Sequence, residues 1–248
     1  MRDLTGRRAL FVGGSSGMGF AAARLFHGLG ATVILAGRSA ARLERARQTL
    51  GNSPAVTSLA LDMTDLDQVD RALLQLPAGG IDHLVISAAS VTHGPFATQP
   101  VTELRMMFDA KFWGAYGLAR AALPSLRDGG SITLFSGVLS RRPGINCAAL
   151  GAACAAIEAL TRGLALELGP RLRVNCIAPG MVRTELHDRA PPERREAMFQ
   201  STGNSLPVKR IGQPEEIAEA VLLAATCGYM TGHVLDVDGG HMVRQYAT

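Results

Sequence analysis

The sequence predicts an α/β fold in which helices cover both faces of a doubly wound parallel sheet of about seven strands. The chain has 248 residues, of which 47% are hydrophobic and 19% are charged, so it can bury one substantial core. Short, nearly continuous apolar runs alternate with longer helical patterns, as in parallel strands that are covered on both faces. A glycine-rich turn follows the first of these runs. We therefore predict a single domain over residues 1–248.

The predicted strands are short runs rich in apolar and β-branched residues. They cover residues 8–12, 32–36, 56–61, 83–87, 131–135, 173–177 and 234–237. Helical patterns lie between them at 17–29, 40–50, 66–75, 102–126, 147–168 and 214–226. Thr64 is placed to cap the third helix, and Pro214 suits the first turn of the last one. This alternation predicts right-handed crossovers between parallel strands.

The longest stretch without a periodic pattern runs from 183 to 210. It is polar and contains Pro191 and Pro192 in succession. An irregular loop of this length inside a compact domain is often a lid or a binding loop. We predict that it contributes to the substrate site, and a surface insertion without function is the alternative.

Composition and charge argue against several classes of partner. The formal net charge is +4, but the arginines are spread along the chain, and Glu193 interrupts the cluster at 189–195. No aromatic residue lies within that cluster, so no nucleic-acid partner is expected. No unbroken apolar run reaches the roughly 18 residues that span a bilayer, so no membrane association is expected. The four cysteines show no C-x-x-C spacing, which favours reduced thiols in a cytoplasmic protein without a metal site.

The glycine-rich turn predicts a nucleotide site. Its residues are Gly13, Ser15, Ser16, Gly17, Met18 and Gly19. Glycine permits a tight turn and a close approach of the backbone to a pyrophosphate, and the helix that follows offers free N–H groups. A purely structural glycine turn is the alternative. The place of the turn directly after the first strand favours a dinucleotide bound to a Rossmann-like domain.

The end of the second strand discriminates between coenzymes. Gly37 leaves no carboxylate where one would bind the two ribose hydroxyls of NAD. Arg38, followed by Ser39, supplies hydrogen-bond donors that suit a 2′-phosphate. The sequence therefore favours NADP(H) over NAD(H), with an ordinary solvated arginine as the alternative reading of Arg38.

Three further segments carry a family resemblance. They are 12–19, in which Val12 replaces the usual Thr, 173–184, which reads R-V-N-C-I-A-P-G-M-V-R-T, and 236–240, which reads D-V-D-G-G. With these motifs the chain resembles the short-chain dehydrogenase/reductase family over essentially its whole length. The resemblance implies which residues bind the coenzyme. Asp62 and Met63 would line the adenine, Ser87 and Ala88 stand in the motif usually written N-N-A-G, and Pro179, Gly180, Val182 and Thr184 would hold the nicotinamide end.

The residues that move protons in that family are replaced in this chain. The family uses a Tyr as general acid/base, a Lys that lowers its pKa, a Ser that polarises the carbonyl and an Asn that anchors a water. The Tyr position is Leu150 and the Lys position is Cys154, at i and i+4 on one helical face. The Ser position falls at Gly137, one residue after Ser136. Lys111 stands where the family has Asn.

Lys111 and Ser136 are the candidate catalytic residues. Leu150 cannot donate a proton, and a thiol at Cys154 cannot supply a positive charge. We hypothesise that Lys111 acts as a relocated cation or as the proton donor itself, and an exposed helix lysine is the alternative. Ser136 reaches a carbonyl if the strand end shifts by one residue. Arg141 and Arg142 are candidates to bind an anionic substrate, with a solvated turn before Pro143 as the alternative. Ser140 is a further polar candidate, as are His93, Asn146 and His187, for which ordinary loop positions are the alternative.

Two hypotheses about function remain at this stage. The resemblance implies an NADP(H)-dependent oxidoreductase that acts on the carbonyl or alcohol of a small molecule through an atypical proton relay. The missing residues favour a nucleotide-binding sensor or partner subunit, because loss of a positioned general acid costs about 10²–10⁴-fold in rate. Reduction of an activated C=C bond, with solvent as the proton source, is a third possibility. The small residues of helix 147–168 permit close packing, and the resemblance implies a homodimer or homotetramer.

Overall fold

The structure, a computed structural model, describes residues 2–243 and contains a seven-stranded parallel sheet within them. The strands are β1 (Arg8–Val12), β2 (Thr32–Gly37), β3 (Val56–Ala60), β4 (Ile81–Ile86), β5 (Leu126–Phe135), β6 (Arg173–Pro179) and β7 (Val234–Val237). Their order across the sheet is β3-β2-β1-β4-β5-β6-β7. This order confirms the doubly wound α/β fold. The ends of the predicted domain, Met1 and 244–248, lie outside the described residues, as does the Arg189 side chain.

Helices connect the strands and cover both faces of the sheet. The described α-helices are α1 (Gly17–Gly28), α2 (Ala40–Thr49), α3 (Leu66–Leu73), α4 (Val101–Phe108), α5 (Gly114–Ala122), α6 (Ala148–Leu168), α7 (Pro192–Ser205) and α8 (Pro214–Thr226). Alternate residues of each strand point to opposite faces, so a core forms on each side. Phe11 and Phe26 are fully buried in the core beneath α1 and α8, and Leu10 and Leu84 are buried beneath α3, α5 and α6.

The prediction of one continuous helix over 102–126 is wrong. A π-helical turn, Asp109–Trp113, separates α4 from α5, and a 3₁₀ turn, Leu123–Ser125, follows. A π turn inserts an extra residue and so redirects the side chains that it carries. Gly114 begins α5, and a Cβ there would lie 3.0 Å from the Met63 side chain, so a residue without a side chain fits this position. β5 then starts at 126 instead of 131, because residue 126 already pairs with Ile81 of β4.

The stretch 183–210 is not the irregular loop that was predicted. It contains a 3₁₀ turn, Glu185–Arg189, and the 14-residue helix α7. Pro192 occupies the first turn of α7, where the missing N–H has no intrahelical partner to lose, and Glu193 lies near the positive end of the helix dipole. The two prolines therefore mark the start of a helix.

The cap of α3 also differs from the prediction by one residue. Asp65 is the N-cap, and its side chain accepts a hydrogen bond of 2.9 Å from the backbone N–H of Gln68. The Thr64 hydroxyl instead donates to the carboxylate of Asp62, at 2.8 Å. A carboxylate at the N-cap also faces the positive end of the helix dipole, which favours aspartate over threonine there.

Helix α6 carries Leu150 and Cys154. By length and composition alone, its 21 residues are apolar enough to cross a membrane. In the fold, one face of α6 packs against the sheet and buries Ala153 and Ile157. This packing is that of a core helix in an α/β domain.

Candidate functional site

The glycine turn brings β1, α1 and the loop after β4 into contact. Gly13 has φ +89°, and a Cβ there would lie 2.6 Å from the backbone nitrogen of Ala88. A Cβ at Gly19 would collide with the hydroxyl of Ser87. Ser87 in turn donates to the carbonyl oxygen of Val12 at 3.2 Å. The structure thus places four of the predicted coenzyme residues together, and glycine is required at two of them.

The N-terminus of α1 is open to an anion. Ser16 is the N-cap, and no side chain caps the first turn. The first N–H groups of a helix then remain available, next to the positive end of its dipole. Gly17 has φ +54°, and a Cβ there would lie 3.3 Å from the side chains of both Thr184 and Glu185. The loop after β6 therefore lies over the turn, with Thr184 next to Gly17.

A basic edge follows β2. Gly37 ends this strand, and the next residue, Arg38, is exposed. Ser39 caps α2, and its hydroxyl accepts a hydrogen bond of 3.3 Å from the backbone N–H of Arg42. Arg42 is also exposed and lies four residues after Arg38. Sequence analysis missed Arg42, although the i, i+4 spacing of two arginines at a helix start was visible.

The remaining predicted coenzyme residues lie at the ends of β3 and β6. The Asp62 carboxylate accepts hydrogen bonds from Thr64, while Met63 is buried. Pro179 ends β6, and a Cβ at Gly180 would lie 2.8 Å from the Cα of Asp238. Val182 is buried and pairs with Gly212 in an isolated bridge. All of these residues follow the carboxyl ends of parallel strands, the edge at which such sheets bind ligands.

Lys111 is buried in the π-helical turn, with 5% of its surface exposed. Its Nζ donates to the carbonyl oxygens of Phe135, at 3.3 Å, and Ser136, at 3.2 Å. Burial raises the pKa of Cys154, and the charge of Lys111 acts in the opposite direction. Lys111 is therefore close enough to Cys154 to act on its thiol.

Ser136 and Gly137, the two residues considered for the serine role at the end of β5, face different ways. A Cβ at Gly137 would lie 3.4 Å from the sulfur of Cys154, so this position faces Cys154. Ser136 is buried, and its hydroxyl donates to Glu158 at 3.0 Å. In this arrangement the Ser136 hydroxyl is engaged with α6, and its carbonyl holds Lys111.

Glu158 was not singled out in the sequence. It is a buried carboxylate on α6, with 5% of its surface exposed. It accepts hydrogen bonds from Ser136 and from Ser140, the latter at 2.5 Å. Arg141 Nε lies 3.4 Å from its second oxygen. A carboxylate within an apolar helix pattern could have drawn attention, but its partners come from a segment 17 residues away or more.

Arg141 is occupied by carboxylates. Its guanidinium binds both oxygens of Asp236 in β7, in addition to Glu158. These contacts, Asp236 first, raise the pKa of Arg141. Arg142 donates to the carbonyl oxygen of Met242 at 3.1 Å. The two arginines that were candidates for binding an anionic substrate thus have partners within the chain.

The remaining polar candidates lie in the loops above the sheet. His187 packs edge-on against Phe199, with ring centroids 5.2 Å apart, and burial lowers its pKa. His93 is close enough to contribute to that lowering. Asn146 has φ +63°, and its carbonyl oxygen accepts from the backbone N–H of Gly94 at 2.9 Å. These contacts join the loops that border the site.

A cleft of about 350 Å³ opens beside the glycine turn. Its walls include Gly17, Phe20, Arg24, Arg183, Thr184 and Phe199. It lies between α1 and the segment that contains α7, and neither Lys111 nor Cys154 lines it. Within residues 2–243, no group of three or more His, Cys, Asp or Glu side chains is arranged to hold a metal ion.

Comparison with known proteins gives consistent matches over almost the whole chain. A protein-family model described as "Enoyl-(Acyl carrier protein) reductase" matches residues 12–242. Galactitol 2-dehydrogenase (L-tagatose-forming) of Cereibacter sphaeroides is 34% identical, over 97% of this chain and 96% of that protein. The short-chain dehydrogenase/reductase malC of Malbranchea aurantiaca is 30% identical, over 98% and 97%.

Solved structures match equally well. The MalC reductase/Diels-Alderase of Malbranchea aurantiaca has a TM-score of 0.88 and 29% identity, covering 97% of this chain and 98% of that chain. A small-chain dehydrogenase in complex with NADPH has a TM-score of 0.79 and 35% identity, covering 94% and 97%. Sequence and structure therefore agree on one family.

Proposed function

Because the chain belongs to the short-chain dehydrogenase/reductase family, we propose that it is an NADP(H)-dependent oxidoreductase. Its substrate would be a small molecule with a carbonyl or alcohol group, and Lys111 would replace the usual proton-delivery residues. The observation that carries the proposal is the buried ammonium of Lys111 beside Cys154 and Gly137, at the edge of the sheet where the coenzyme residues meet.

The chain's own residues fit a dinucleotide. Gly13 and Gly19 let the turn pack directly against Ser87 and Ala88, and the uncapped start of α1 supplies N–H donors for a pyrophosphate. The nicotinamide end would lie against the segment 179–184, and the adenine beside Asp62 and Met63. When bound, the coenzyme would supply or accept a hydride at the substrate carbon.

The preference for NADP(H) is supported by the edge after β2. Exposed Arg38 and the N-cap Ser39 flank the start of α2, and the last residue of β2 is glycine. An arginine fork and a helix N-terminus both favour a phosphate, whereas a carboxylate would repel it. The related small-chain dehydrogenase described with NADPH agrees with this preference.

Lys111 would act on the substrate oxygen. A fixed ammonium in a water-poor site stabilises negative charge that develops on an oxygen, and an ammonium can also give up a proton. Leu150 adds an apolar side chain on the same helix face, and Gly137 leaves room beside Cys154. Ser136 would support this arrangement through its carbonyl, which accepts from Lys111.

We also infer a homo-oligomer in the cytoplasm. All four cysteines are free thiols, which suits a reducing compartment. The outer face of α6 exposes small residues, among them Ala152, Ala155 and Ala159, which would allow a second copy to approach closely. The loops above the sheet, with α7, would set the choice of substrate.

Turnover measurements on purified protein test the proposed function. With saturating NADPH, oxidation of the coenzyme is followed for a panel of ketones, aldehydes and activated alkenes. We expect reduction of a ketone or aldehyde. Turnover only of activated alkenes would move the reaction class to C=C reduction. Tight NADPH binding without turnover on any substrate would contradict an enzymatic function and favour a nucleotide-binding role.

A further inference from the structure

One carboxylate of the cleft beside the glycine turn faces the start of α1. The Oε2 atom of Glu185 lies 3.3 Å from the position that a Cβ on Gly17 would take, and both residues line the cleft. Gly17 is the first residue of α1, where no side chain caps the free N–H groups. A carboxylate of the chain itself therefore lies beside the turn that would bind the pyrophosphate in the proposed function.

The arginines of the cleft are already paired with other carboxylates. The pairs, with N···O distances of 2.5 or 2.6 Å, are Arg24–Glu215, Arg183–Glu196 and Arg195–Asp188. Within the part of the chain that the structure describes, no hydrogen bond or ion pair engages the side chain of Glu185. The positive region that its carboxylate faces is thus the N-terminal end of the α1 dipole.

The backbone on both sides of Glu185 is anchored to α7. The guanidinium of Arg183 lies 4.6 Å from the centroid of the Phe199 ring, and His187 packs edge-on against the same ring. The Glu185 side chain itself is exposed. It can therefore rotate away from α1 without breaking an ion pair and without moving these two anchors.

A pyrophosphate and this carboxylate would compete for the same positive region. The free N–H groups of a helix start, together with its dipole, favour negative charge. Two like charges that are held a few ångströms apart repel each other. A pyrophosphate carries more charge and accepts more hydrogen bonds than one carboxylate does, so it would displace the Glu185 side chain and bind less tightly for having to do so.

We propose that Glu185 is an internal competitor of the coenzyme. In the free protein its carboxylate balances the positive start of α1, and it opposes the pyrophosphate until the side chain rotates away. This inference rests on the proposed function, in which the glycine turn holds the coenzyme. Glu185 thereby sets the coenzyme concentration at which the site fills, and it takes no part in hydride transfer.

Glu185→Gln tests the proposal because it removes the charge and keeps the shape of the side chain. We expect NADPH to bind about three- to fivefold more tightly, the effect of one exposed charge at a helix end. The gain should shrink at about 0.5 M salt, because salt screens exposed charges. Without coenzyme, the variant should unfold about 1–3 °C lower than the wild type, because the start of α1 loses its anion. Calorimetric titration and thermal unfolding measure the two effects.

Glu193→Gln is the matched control. Glu193 is also an exposed glutamate in the first turn of a helix, α7, but it does not line the cleft. This variant should lower the unfolding temperature by a similar amount and leave NADPH affinity unchanged.

Two results would overturn the proposal in a protein that binds NADPH. One is unchanged or weaker NADPH binding by Glu185→Gln, and the other is an unfolding temperature equal to that of the wild type. Binding of NADPH by neither the wild type nor Glu185→Gln is a distinct result, since it contradicts the proposed function itself and the competition with it.

Discussion

At the scale of single residues, the proposed chemistry depends on the ammonium of Lys111. Its acceptors are the carbonyl oxygens of Phe135 and Ser136, and neither Leu150 nor Cys154 of α6 can supply a cation. A fixed charge of this kind stabilises an oxyanion because it needs no reorganisation when the reaction occurs. Under the proposed function, the cation of the site would therefore come from the turn between α4 and α5 instead of from α6.

Lys111→Met removes that charge and keeps most of the side-chain volume. We expect turnover to fall by about 10²-fold or more, the effect of losing an acid–base group. Lys111 is the cation whose charge acts on the Cys154 thiol. Lys209→Met, at an exposed loop position, is the matched control. Steady-state rates and NADPH titrations of both variants decide the matter, and equal turnover in Lys111→Met and wild type would remove Lys111 from the mechanism.

At this scale the sequence predicts candidate site residues that belong to a motif. It does not predict residues whose role depends on contacts between distant segments of the chain. Gly13, Gly19 and Thr184 were visible because their spacing belongs to a turn or a family segment. Lys111 was visible because it replaces a known position. Glu158 was not, because its role depends on Ser136 and other partners in a different loop, and no local pattern records such a contact.

At the scale of elements, the turn between β1 and α1 is the most constrained. Gly19→Ala would drive a methyl group into the Ser87 hydroxyl and the Gly13 carbonyl. We expect a loss of about 1–3 kcal/mol in the free energy of unfolding, as for an overpacked site. NADPH binding should weaken in the same variant.

Gly163→Ala is the matched control for this change. Gly163 lies inside α6, and nothing is within 4 Å of a Cβ built there. The alanine should leave stability unchanged or raise it by up to about 1 kcal/mol, because glycine is a poor helix former. Urea unfolding of both variants measures the difference, and equal effects at the two sites would contradict the packing described for the turn.

The start of β4 predicts a pH dependence of stability. His83 is buried, its Nδ1 lies 2.9 Å from the Ser131 hydroxyl, and burial lowers its pKa from 6.5 to about 4. Between pH 6.5 and about pH 4, His83 binds a proton in the unfolded chain but stays neutral in the folded chain. The stability contributed by neutral His83 is therefore complete above pH 6.5 and is lost progressively as pH falls towards 4.

His83→Gln should remove most of this dependence. From pH 7.5 to pH 5 the wild type should lose about 2 kcal/mol more of its free energy of unfolding than the variant does. His233→Gln, at an exposed position, is the control and should behave as the wild type. Urea unfolding at the two pH values provides the test, and parallel losses in wild type and His83→Gln would show that His83 is not the cause.

The predicted elements failed where local signals conflicted with tertiary contacts. The helical pattern of 102–126 was real, but the close approach of Gly114 to Met63 coincides with a π-helical turn that periodicity does not encode. From the sequence, the two prolines at the start of α7 predict a loop. Proline suits both a loop and the first turn of a helix, so proline alone does not show whether a helix follows it.

At the scale of the whole molecule, the topology followed from the alternation of elements. Apolar runs separated by helices imply parallel strands, and right-handed crossovers leave few possible orders. The ligand edge then follows from strand polarity. What did not follow was the arrangement of the segment 183–210 over the glycine turn, because the position of a surface segment depends on contacts such as that between Thr184 and Gly17.

The proposed oligomer predicts a specific variant. Ala155 lies on the exposed face of α6, and an arginine there would separate two closely packed helices. Ala155→Arg should therefore elute as a smaller species with the same circular dichroism as the wild type. Gln48→Arg, on the exposed face of α2, should not change the size. Light scattering measures the masses, and an unchanged mass for Ala155→Arg would place the interface elsewhere.

The most direct test of the central claim is a parallel titration of the wild type and Arg38→Ala with NADPH and NADH. The account predicts that the wild type binds NADPH at least about tenfold more tightly than NADH, the value of one charge-assisted phosphate contact. Arg38→Ala should lose most of that preference without weakening NADH. Tighter binding of NADH by the wild type, or binding of neither coenzyme, would contradict the account.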